Sequence, residues 1–305
     1  MSDTTAALPG PGESSPLRSP RRPRPTWGLL EGDELAPGRT VLRRIGGGRR
    51  YEALLVWDEH RLAVLVAKVL RPDHATSEIA LRDLVRESEL LERLAHPVLV
   101  RSFGAVRDSR FPHLLLEHLE GPTLDELIDR ERSAGGGALA LEQVLPLALH
   151  VASALHYLAA EDVVHLDVKP SNVVMGAPPR LIDLSVARTL EEAAVVRSPI
   201  GTDAYMAPEQ RLPDGRLGPP ADVWGLAATV HAALTGMTWR ATSPAAPATA
   251  ARAWRPRRPP TALAEIVRAG LDPDPAARPV AAEFASALEP LVAALPRRLT
   301  LGRRS

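Results

Sequence analysis

Apolar residues in the first third of the chain fall into short runs that glycine and charged residues separate. Residues 41–45 and 51–57 form two such runs around the turn Gly46-Gly47-Gly48, and residues 62–70 form a third. Runs of this length, rich in Val and Leu and bounded by glycine, are typical of β-strands. The pattern therefore predicts three strands, of which the first two are joined at the glycines.

Further along the chain, the spacing of apolar residues becomes that of helices. Ser77 is a candidate N-cap for a helix that runs to about Leu94, and most of its apolar face comes from Ile79, Leu81, Leu84, Leu90, Leu91 and Leu94. Residues 141–160 also have helical spacing, and residues 222–234 form another apolar helix, expected to run through the centre of its domain. The sequence thus predicts a strand-rich region followed by a larger, mainly helical one.

Polar residues interrupt two short apolar runs near the middle of the chain. The segment His165-Leu166-Asp167-Val168-Lys169-Pro170-Ser171-Asn172 is followed by Leu181-Ile182-Asp183-Leu184-Ser185. The two aspartates, the lysine and the asparagine have spacings suited to holding Mg-ATP, since carboxylates and amides bind Mg²⁺ and a lysine balances phosphate charge. These residues are the best indication of function in the chain.

Together with the downstream segment Gly201-Thr202-Asp203-Ala204-Tyr205-Met206-Ala207-Pro208-Glu209, these motifs resemble those of eukaryotic-type (Hanks-type) serine/threonine protein kinases. The resemblance covers roughly residues 37–291. It implies an α+β, two-lobed protein kinase fold, with a small antiparallel β-sheet lobe that carries one helix and a larger, mainly helical lobe. The lobes are expected at residues 37–119 and 120–296. The implied reaction is transfer of the γ-phosphate of ATP to Ser or Thr hydroxyls of a protein.

The resemblance also assigns catalytic residues: Asp167, Lys169, Lys68, Glu87 and Thr202. Asp167 would orient the acceptor hydroxyl, and Lys169 would balance charge on the phosphoryl group while Thr202 bridges the two. Lys68 would hold the α- and β-phosphates and be held in turn by a helix glutamate. Glu87 has the family position, nine residues before His96, and Glu89 is its rival.

The implied ligands are ATP and Mg²⁺. ATP would contact Ile45, Gly46, Gly47, Gly48, Ala53, Val66, Lys68, Leu116, Glu117, Leu119 and Val174, and Mg²⁺ would be held by Asn172 and Asp183. Glycines let backbone N–H groups approach the phosphates, which a Cβ would obstruct. The backbone around residues 117–119 would hydrogen-bond adenine, with Leu116 guarding the rear pocket, and apolar residues would enclose the purine: Ala53, Val66 and Val174.

Two more matches concern the framework of the larger lobe. Asp222 matches the aspartate that anchors the catalytic loop from below, although Ala227 stands where the family usually has glycine. Asp222 could instead be the N-cap of its helix, and the two roles are compatible. Glu209 is expected to form a buried ion pair with Arg278.

The chain also departs from the family pattern in the glycine turn and in the catalytic motifs. Tyr51 stands in place of the third glycine, Leu166 in place of the arginine before the catalytic aspartate, and Leu184-Ser185 in place of Phe-Gly. Where that arginine exists, it binds a phosphate on the activation segment. Leu166 cannot do so, which predicts basal activity without phosphorylation of Thr189, Ser198 or Thr202.

The departures leave a second interpretation open, a pseudokinase that acts as an ATP-binding or ATP-independent scaffold. Retention of every residue expected to contact metal or transfer a proton argues against it. A small-molecule phosphotransferase is a third interpretation, but such enzymes generally lack the Ala207-Pro208-Glu209 docking segment.

Composition adds limits to this picture. The 305 residues include 37 basic and 37 acidic side chains and no Cys, so neither attraction to nucleic acid nor disulfide chemistry is indicated. No N-terminal signal segment or apolar run of about 18 residues is evident, so we expect a cytoplasmic protein without membrane contact. The protein substrate is unspecified, and autophosphorylation in trans is compatible with the family. The 30 Pro with abundant Ala and Arg suggest an actinobacterial source.

Both ends of the chain differ in composition from the rest. Residues 1–36 are rich in Pro, Ser, Thr, Gly and Arg, which predicts a disordered tail, with residues 19–25 as an alternative docking or phosphorylation segment. Residues 297–305 are expected to form a solvated basic tail.

Overall fold

The first strands form where the short apolar runs predict them. The structure, a computed structural model, describes residues 24–135, 139–242 and 259–296. Its small lobe is an antiparallel sheet of six strands, in the order β1-β2-β3-β4-β6-β5. The elements are β1 (Glu34–Ala36), β2 (Arg39–Gly47), β3 (Tyr51–Asp58), β4 (Ala63–Leu70), α1 (Glu78–Arg93), β5 (Ser102–Val106) and β6 (His113–Glu117).

The two faces of this sheet are covered by different parts of the chain. Helix α1, capped by Ser77 as predicted, packs on the inner face, and its residue Leu84 is fully buried. The outer face carries a separate apolar cluster that includes Val41 and Leu115, and it is covered by Leu35 together with Trp27 and Leu29. The sheet is therefore buried on both sides, which explains the nearly continuous apolar pattern of β3 and β4.

The predicted disorder of residues 1–36 is wrong for residues 24–36. Leu35 is 3% exposed, and Trp27 packs edge-on against Phe111 with ring centroids 5.0 Å apart. Burial of these apolar side chains on the outer face of the sheet offsets the entropy of ordering the segment. The small lobe consequently begins before residue 37, while residues 1–23 and the predicted basic tail, 297–305, lie outside the described residues.

The second lobe is mainly helical, as predicted. Its elements are α2 (Leu124–Ser133), α3 (Leu141–Ala160), β7 (Val163–Val164), β8 (Val173–Val174), β9 (Arg180–Leu181), β10 (Arg188–Thr189), α4 (Leu190–Ala194), α5 (Pro219–Thr235), α6 (Trp239–Thr242), α7 (Thr261–Gly270) and α8 (Ala281–Ala293). β7 pairs with β10 and β8 with β9, so two short ribbons lie where the polar motifs interrupt the apolar runs. The α+β, two-lobed fold is confirmed.

Helices α3 and α5 form the centre of this lobe. α3 has the predicted bounds and packs against both α5 and α8. By length and composition it could cross a membrane, with a mean hydropathy of 1.3 over 18 residues, but half of that window is buried inside the lobe. Its apolar character is explained by packing between other helices.

Two details of the predicted helices are wrong. α5 begins three residues before Asp222, because Pro219 and Pro220 occupy its first positions, where a missing N–H has no cost. The N-cap is therefore Gly218 and not Asp222. On α1, Ile79 is 62% exposed and is not part of the buried face, whereas the adjacent Ala80 and Leu81 are buried.

Candidate active site

A buried carboxylate fixes the backbone of the loop between β7 and β8. Asp222 Oδ2 accepts a hydrogen bond from the N–H of His165 and Oδ1 accepts one from Leu166, both at 2.7 Å. Burial raises the pKa of Asp222, and the two N–H groups oppose that shift by favouring the charged form. They also hold Leu166 at φ +64°, a left-handed conformation that non-glycine residues rarely adopt.

The loop presents Asp167 with one carboxylate oxygen engaged and one without a partner. Lys169 Nζ donates to Asp167 Oδ2 and to Thr202 Oγ1, both at 2.7 Å. Asn172 Nδ2 donates to the Asp167 carbonyl at 2.9 Å. Asp167 Oδ1 is buried and has no hydrogen-bond partner within the described ranges. A buried acceptor of this kind is suited to receive a hydroxyl group of a substrate.

A second set of charged residues lies across the cleft and joins the two lobes. Lys68 Nζ, on β4, donates to both carboxylate oxygens of Glu87 at 2.8 Å and to Asp183 Oδ1 at 2.6 Å. Glu87 is fully buried, whereas Glu89 is exposed on the opposite face of α1. The structure thus pairs Lys68 with Glu87 and leaves Glu89 outside the site.

The ionisation of this set follows from its charges. Burial alone would lower the pKa of Lys68, but the carboxylates of Asp183 and Glu87 outweigh it, and the pKa is raised. Burial would raise the pKa of Asp183, but the Lys68 ammonium outweighs it, and the pKa is lowered. Lys68 is therefore a cation and Asp183 an anion at neutral pH, the states that binding of phosphate and metal requires.

The residues expected to hold Mg²⁺ are chemically suited to it. Asp183 supplies a carboxylate, and Asn172 uses its amide nitrogen toward Asp167, which leaves its amide oxygen for a cation. The described residues contain no cluster of three His, Cys, Asp or Glu side chains. This agrees with Mg²⁺, which proteins usually bind through one or two side chains together with substrate phosphates.

The two departures after Asp183 preserve the local backbone. Leu184 is fully buried and occupies an apolar position, as the missing Phe would. The N–H of Ser185 donates to Asp183 Oδ1 at 3.3 Å, and the Ser185 carbonyl accepts from Arg86 of α1 at 3.2 Å. Neither replacement removes a group that contacts Asp183, so the site keeps its charge.

The predicted adenine site lies between the sheet and the second lobe. Ala53 stands opposite Lys68 in the β3–β4 register, Val66 stands opposite Leu116, and Val174 lies on β8 of the other lobe. Among the described residues, the N–H of Leu119 makes no hydrogen bond. Ile45, at the end of β2, is 40% exposed and forms the rim of this region.

The side chain of Glu117 points away from this region. Its Oε1 accepts from the N–H of Arg101 at 2.5 Å and from the guanidinium of Arg180. These groups line a cavity of about 780 Å³ behind the β5–β6 hairpin. The Glu117 carboxylate therefore ties the segment between the lobes to β9.

Tyr51 takes a position that the sequence did not predict. Its ring is buried between the glycine turn and α1, and Lys68 Nζ lies 4.6 Å from the ring centroid. Burial raises the pKa of its hydroxyl to about 12, and that hydroxyl has no partner in the described part of the chain. Tyr51 thus covers the ion pair of Lys68, where phosphate groups are expected.

Two residues that sequence reasoning missed hold the segment after Asp183. Gln210 Nε2 donates to the carbonyls of Leu166 at 2.8 Å and Ile200 at 2.9 Å, which ties the segment to the catalytic loop. A Cβ on Gly201, at φ +109°, would lie 2.5 Å from the Leu166 carbonyl. The signal for both was their position beside Thr202 and Glu209. Glu209 itself forms the expected pair with Arg278, at 2.7 and 2.9 Å, buried on both sides.

Comparison with known proteins gives one consistent family. Residues 39–286 match the family described as protein kinase domain. The chain is 26% identical over 212 residues to the serine/threonine-protein kinase PrkC of Bacillus subtilis, covering 68% of this chain and 32% of that protein. It is 31% identical over 208 residues to the probable serine/threonine-protein kinase PkwA of Thermomonospora curvata, covering 66% and 27%.

A third relative extends the match along the chain. The serine/threonine-protein kinase PknD of Mycobacterium tuberculosis is 27% identical over 253 residues, which is 78% of this chain and 37% of that protein. The chain thus spans about a third of the length of these curated relatives.

Proposed function

The chain belongs to the protein kinase family, and on that premise we propose that it is a serine/threonine protein kinase that transfers the γ-phosphate of ATP to protein hydroxyls. The observation that carries the proposal is the hydrogen-bonded set Asp167–Lys169–Thr202, in which Asp167 Oδ1 is buried and unpartnered. The lysine two residues after the catalytic aspartate matches the serine/threonine class, as do the names of the curated relatives.

The roles follow from where charge develops in the reaction. The acceptor oxygen forms a bond to the γ-phosphorus as the bond to the β-phosphate oxygen breaks, and ADP leaves. Asp167 Oδ1 orients the hydroxyl and accepts its proton, while Lys169 balances charge on the phosphoryl group. Lys68, fixed by Glu87, holds the α- and β-phosphates. Asp183 and Asn172 would hold Mg²⁺, which would supply positive charge against the phosphates of ATP. The protein's contribution is mainly positioning and electrostatics.

We propose the ATP contacts, the lobe assignment and the setting on the same basis. The adenine contacts are the Leu119 N–H, the Glu117 carbonyl and the apolar residues of both lobes. The catalytic domain spans residues 37–119 and 120–296, preceded by the packed segment 24–36. The protein is cytoplasmic and of actinobacterial origin, and it autophosphorylates in trans.

Independence from activation-segment phosphorylation is part of the proposal. Leu166 is 3% exposed and contributes an apolar side chain to the core. Gln210 makes neutral hydrogen bonds to the catalytic loop and the segment, and Asp203 forms ion pairs with Arg211 and Arg240. These contacts support a segment that is ordered without a phosphate.

A pseudokinase is the second candidate, and the position of Tyr51 favours it. The ring over Lys68 lies where phosphates would bind, and Lys68 contacts Asp183 directly. In this case the chain would act as a scaffold through its surface, with its cleft closed to ATP.

Transfer of labelled γ-phosphate from Mg-ATP to the protein and to a basic protein substrate separates the candidates. We expect label on Ser or Thr, lowered about 10²–10⁴-fold in Asp167→Asn. Asp214→Asn, at an exposed carboxylate, is the matched control and should retain wild-type activity. Absence of labelling in wild type, together with its appearance in Tyr51→Gly, would identify a scaffold whose cleft is closed by the tyrosine.

A further inference from the structure

A short segment before the first strand lies against the glycine turn. We name residues 25–27 the N-terminal strap. Thr26 Oγ1 donates to Glu52 Oε2 at 2.6 Å, and the N–H of Trp27 donates to Glu52 Oε1 at 3.0 Å. The Trp27 indole N–H donates to the carbonyl of Leu70, at the end of the Lys68 strand, at 2.7 Å. The strap precedes residues 39–286, so it lies outside the part of the chain that matches the family.

One buried arginine connects the strap with the glycine turn. Arg71 Nη1 donates to the Pro25 carbonyl at 2.9 Å, and its Nε donates to the Gly48 carbonyl at 3.0 Å. A Cβ added to Gly47 would lie 3.3 Å from Nη2 of the same guanidinium. Arg71 is 4% exposed. A single rigid group therefore contacts the strap on one side and the turn on the other.

The turn has few other restraints. Gly46, Gly47 and Gly48 are exposed, and the Gly48 N–H bonds to the Tyr51 carbonyl within the hairpin at 2.9 Å. In the described part of the chain, Arg71 is the one side chain from outside the β2–β3 hairpin that hydrogen-bonds these glycines. Beside the turn, the Arg50 carbonyl accepts from the N–H of Arg71 at 2.9 Å, and the Arg50 guanidinium donates to Asp83 of α1 at 2.7 Å. The glycines themselves are held from outside the hairpin through the Arg71 side chain.

Strap and turn are energetically linked through two buried charges. Glu52 is 3% exposed and receives its two short hydrogen bonds from Thr26 and Trp27, while Arg71 donates to Pro25. Loss of the strap would leave hydrogen-bonding capacity of both charged groups unsatisfied, which is costly. Because coupling between two sites is reciprocal, a ligand that orders the turn must also strengthen docking of the strap.

We propose that the strap positions the glycine turn for the phosphates of ATP, and that Arg71 is the positioning residue through which it acts. The inference rests on the proposed function, in which this turn binds the phosphates. It adds a segment outside the family match to the determinants of nucleotide affinity.

Kinetics of the full chain test the proposal in Trp27→Ala and Arg71→Met. We expect KM for ATP to rise about tenfold in each variant, the size of one charge-assisted hydrogen bond, with kcat within about twofold of wild type. The double variant should show no further rise, because both changes break the same chain of contacts. Affinity for adenosine, which has no phosphates, should be unchanged. Leu263→Ala, which removes buried apolar contact in α7 of the other lobe without touching the strap or Arg71, is the control that keeps the wild-type KM.

Limited trypsin digestion gives a readout that needs no activity. Cleavage at the Arg49-Arg50 bond beside the turn, followed by mass spectrometry, should accelerate in Trp27→Ala and stay unchanged in Leu263→Ala. Mg-ATP should slow this cleavage in wild type. If the variants lose thermal stability but keep both KM and the cleavage rate, the strap is structural only and the proposal is overturned. If wild type fails to bind ATP, the proposed function fails, while faster cleavage in Trp27→Ala would still establish the link between strap and turn.

Discussion

The floor and the roof of the cleft are held in place in different ways. The floor is the catalytic loop, in which His165 and Leu166 are bonded to the buried Asp222 and Asp167 is bonded to Lys169. The roof is the glycine turn, which is exposed and is bonded from outside its hairpin through Arg71 in the described residues. The position of the floor is fixed by buried residues of the large lobe. The position of the roof is fixed by a few polar contacts within the small lobe.

The departures from the family pattern have different consequences in the two regions. In the floor, the N–H of Leu166 is bonded to Asp222 and its side chain is buried, and the hydrogen bonds of Asp167 with Lys169 are present beside it. In the roof, Tyr51 adds a ring where the family has none, and it covers Lys68. The floor, which many contacts hold, keeps its hydrogen bonds when one residue is replaced. The roof, which few contacts hold, has a different surface over Lys68 after one replacement.

The largest loss of stability is expected when the support of the floor is removed. Arg278 donates to both oxygens of Glu209 and lies 5.0 Å from the Trp224 ring centroid, fully buried. Arg278→Ala leaves the Glu209 carboxylate buried without its partner, so we expect the free energy of unfolding to fall by about 3–5 kcal/mol. Chemical denaturation measures this change.

Arg268→Ala, which removes an exposed arginine of α7, is the matched control and should leave the denaturation midpoint unchanged. An Arg278→Ala variant that unfolds at the wild-type denaturant concentration would show that the floor does not depend on this pair.

The outcome for the floor shows why so much of it could be predicted from sequence. The residues of the catalytic loop lie close together in the chain, between positions 165 and 172, so their spacing is nearly their geometry. Their distant partners, Thr202 and Asp222, were expected because the chain resembles the family, and not from any local spacing. The strap contacts join Thr26 to Glu52 and Pro25 to Arg71, across 26 and 46 positions. No local pattern marks a glutamate or an arginine that will be buried by such a distant partner. The same reason explains the predicted disorder of residues 24–36, whose apolar residues gain their burial from a sheet formed later in the chain.

The second test concerns the roof, and it removes the hydroxyl of Tyr51 while keeping its ring. The hydroxyl is buried without a partner, and such a group costs free energy that an apolar replacement recovers. Tyr51→Phe should therefore raise the free energy of unfolding by about 1 kcal/mol. Thermal or chemical denaturation measures it, and phosphate transfer should stay within about twofold of wild type because the ring remains over Lys68.

Tyr157→Phe is a suitable comparison, since the Tyr157 hydroxyl accepts a hydrogen bond from the N–H of Ala95 at 2.9 Å. That variant should lose stability. If Tyr51→Phe loses as much stability as Tyr157→Phe, the Tyr51 hydroxyl makes a stabilising hydrogen bond. The roof would then have one more contact than those named above.

The third test concerns the smallest expected effect, and it asks whether the floor needs any phosphate. Among the candidate hydroxyls, Thr202 contacts Lys169 and Thr189 caps α4 through its bond to the N–H of Glu192, so alanine at either position would disturb structure as well as modification. Ser198 is exposed and is the clean position. Ser198→Ala should keep transfer activity within about twofold of wild type, and so should Thr189→Asn, which retains a side-chain cap for α4 but has no hydroxyl to phosphorylate.

Phosphatase treatment of the wild-type protein should likewise leave the initial rate of transfer unchanged. The physical reason is that Gln210 and Gly201 hold the segment against Leu166 through neutral hydrogen bonds and close packing, where an arginine would have required a phosphate. A strict loss of activity after dephosphorylation, restored on incubation with Mg-ATP and mapped to Thr189, Ser198 or Thr202, would contradict this. The order of the floor would then depend on a phosphate, just as the position of the roof depends on the hydrogen bonds of Arg71. The two regions would differ only in the kind of contact on which each depends.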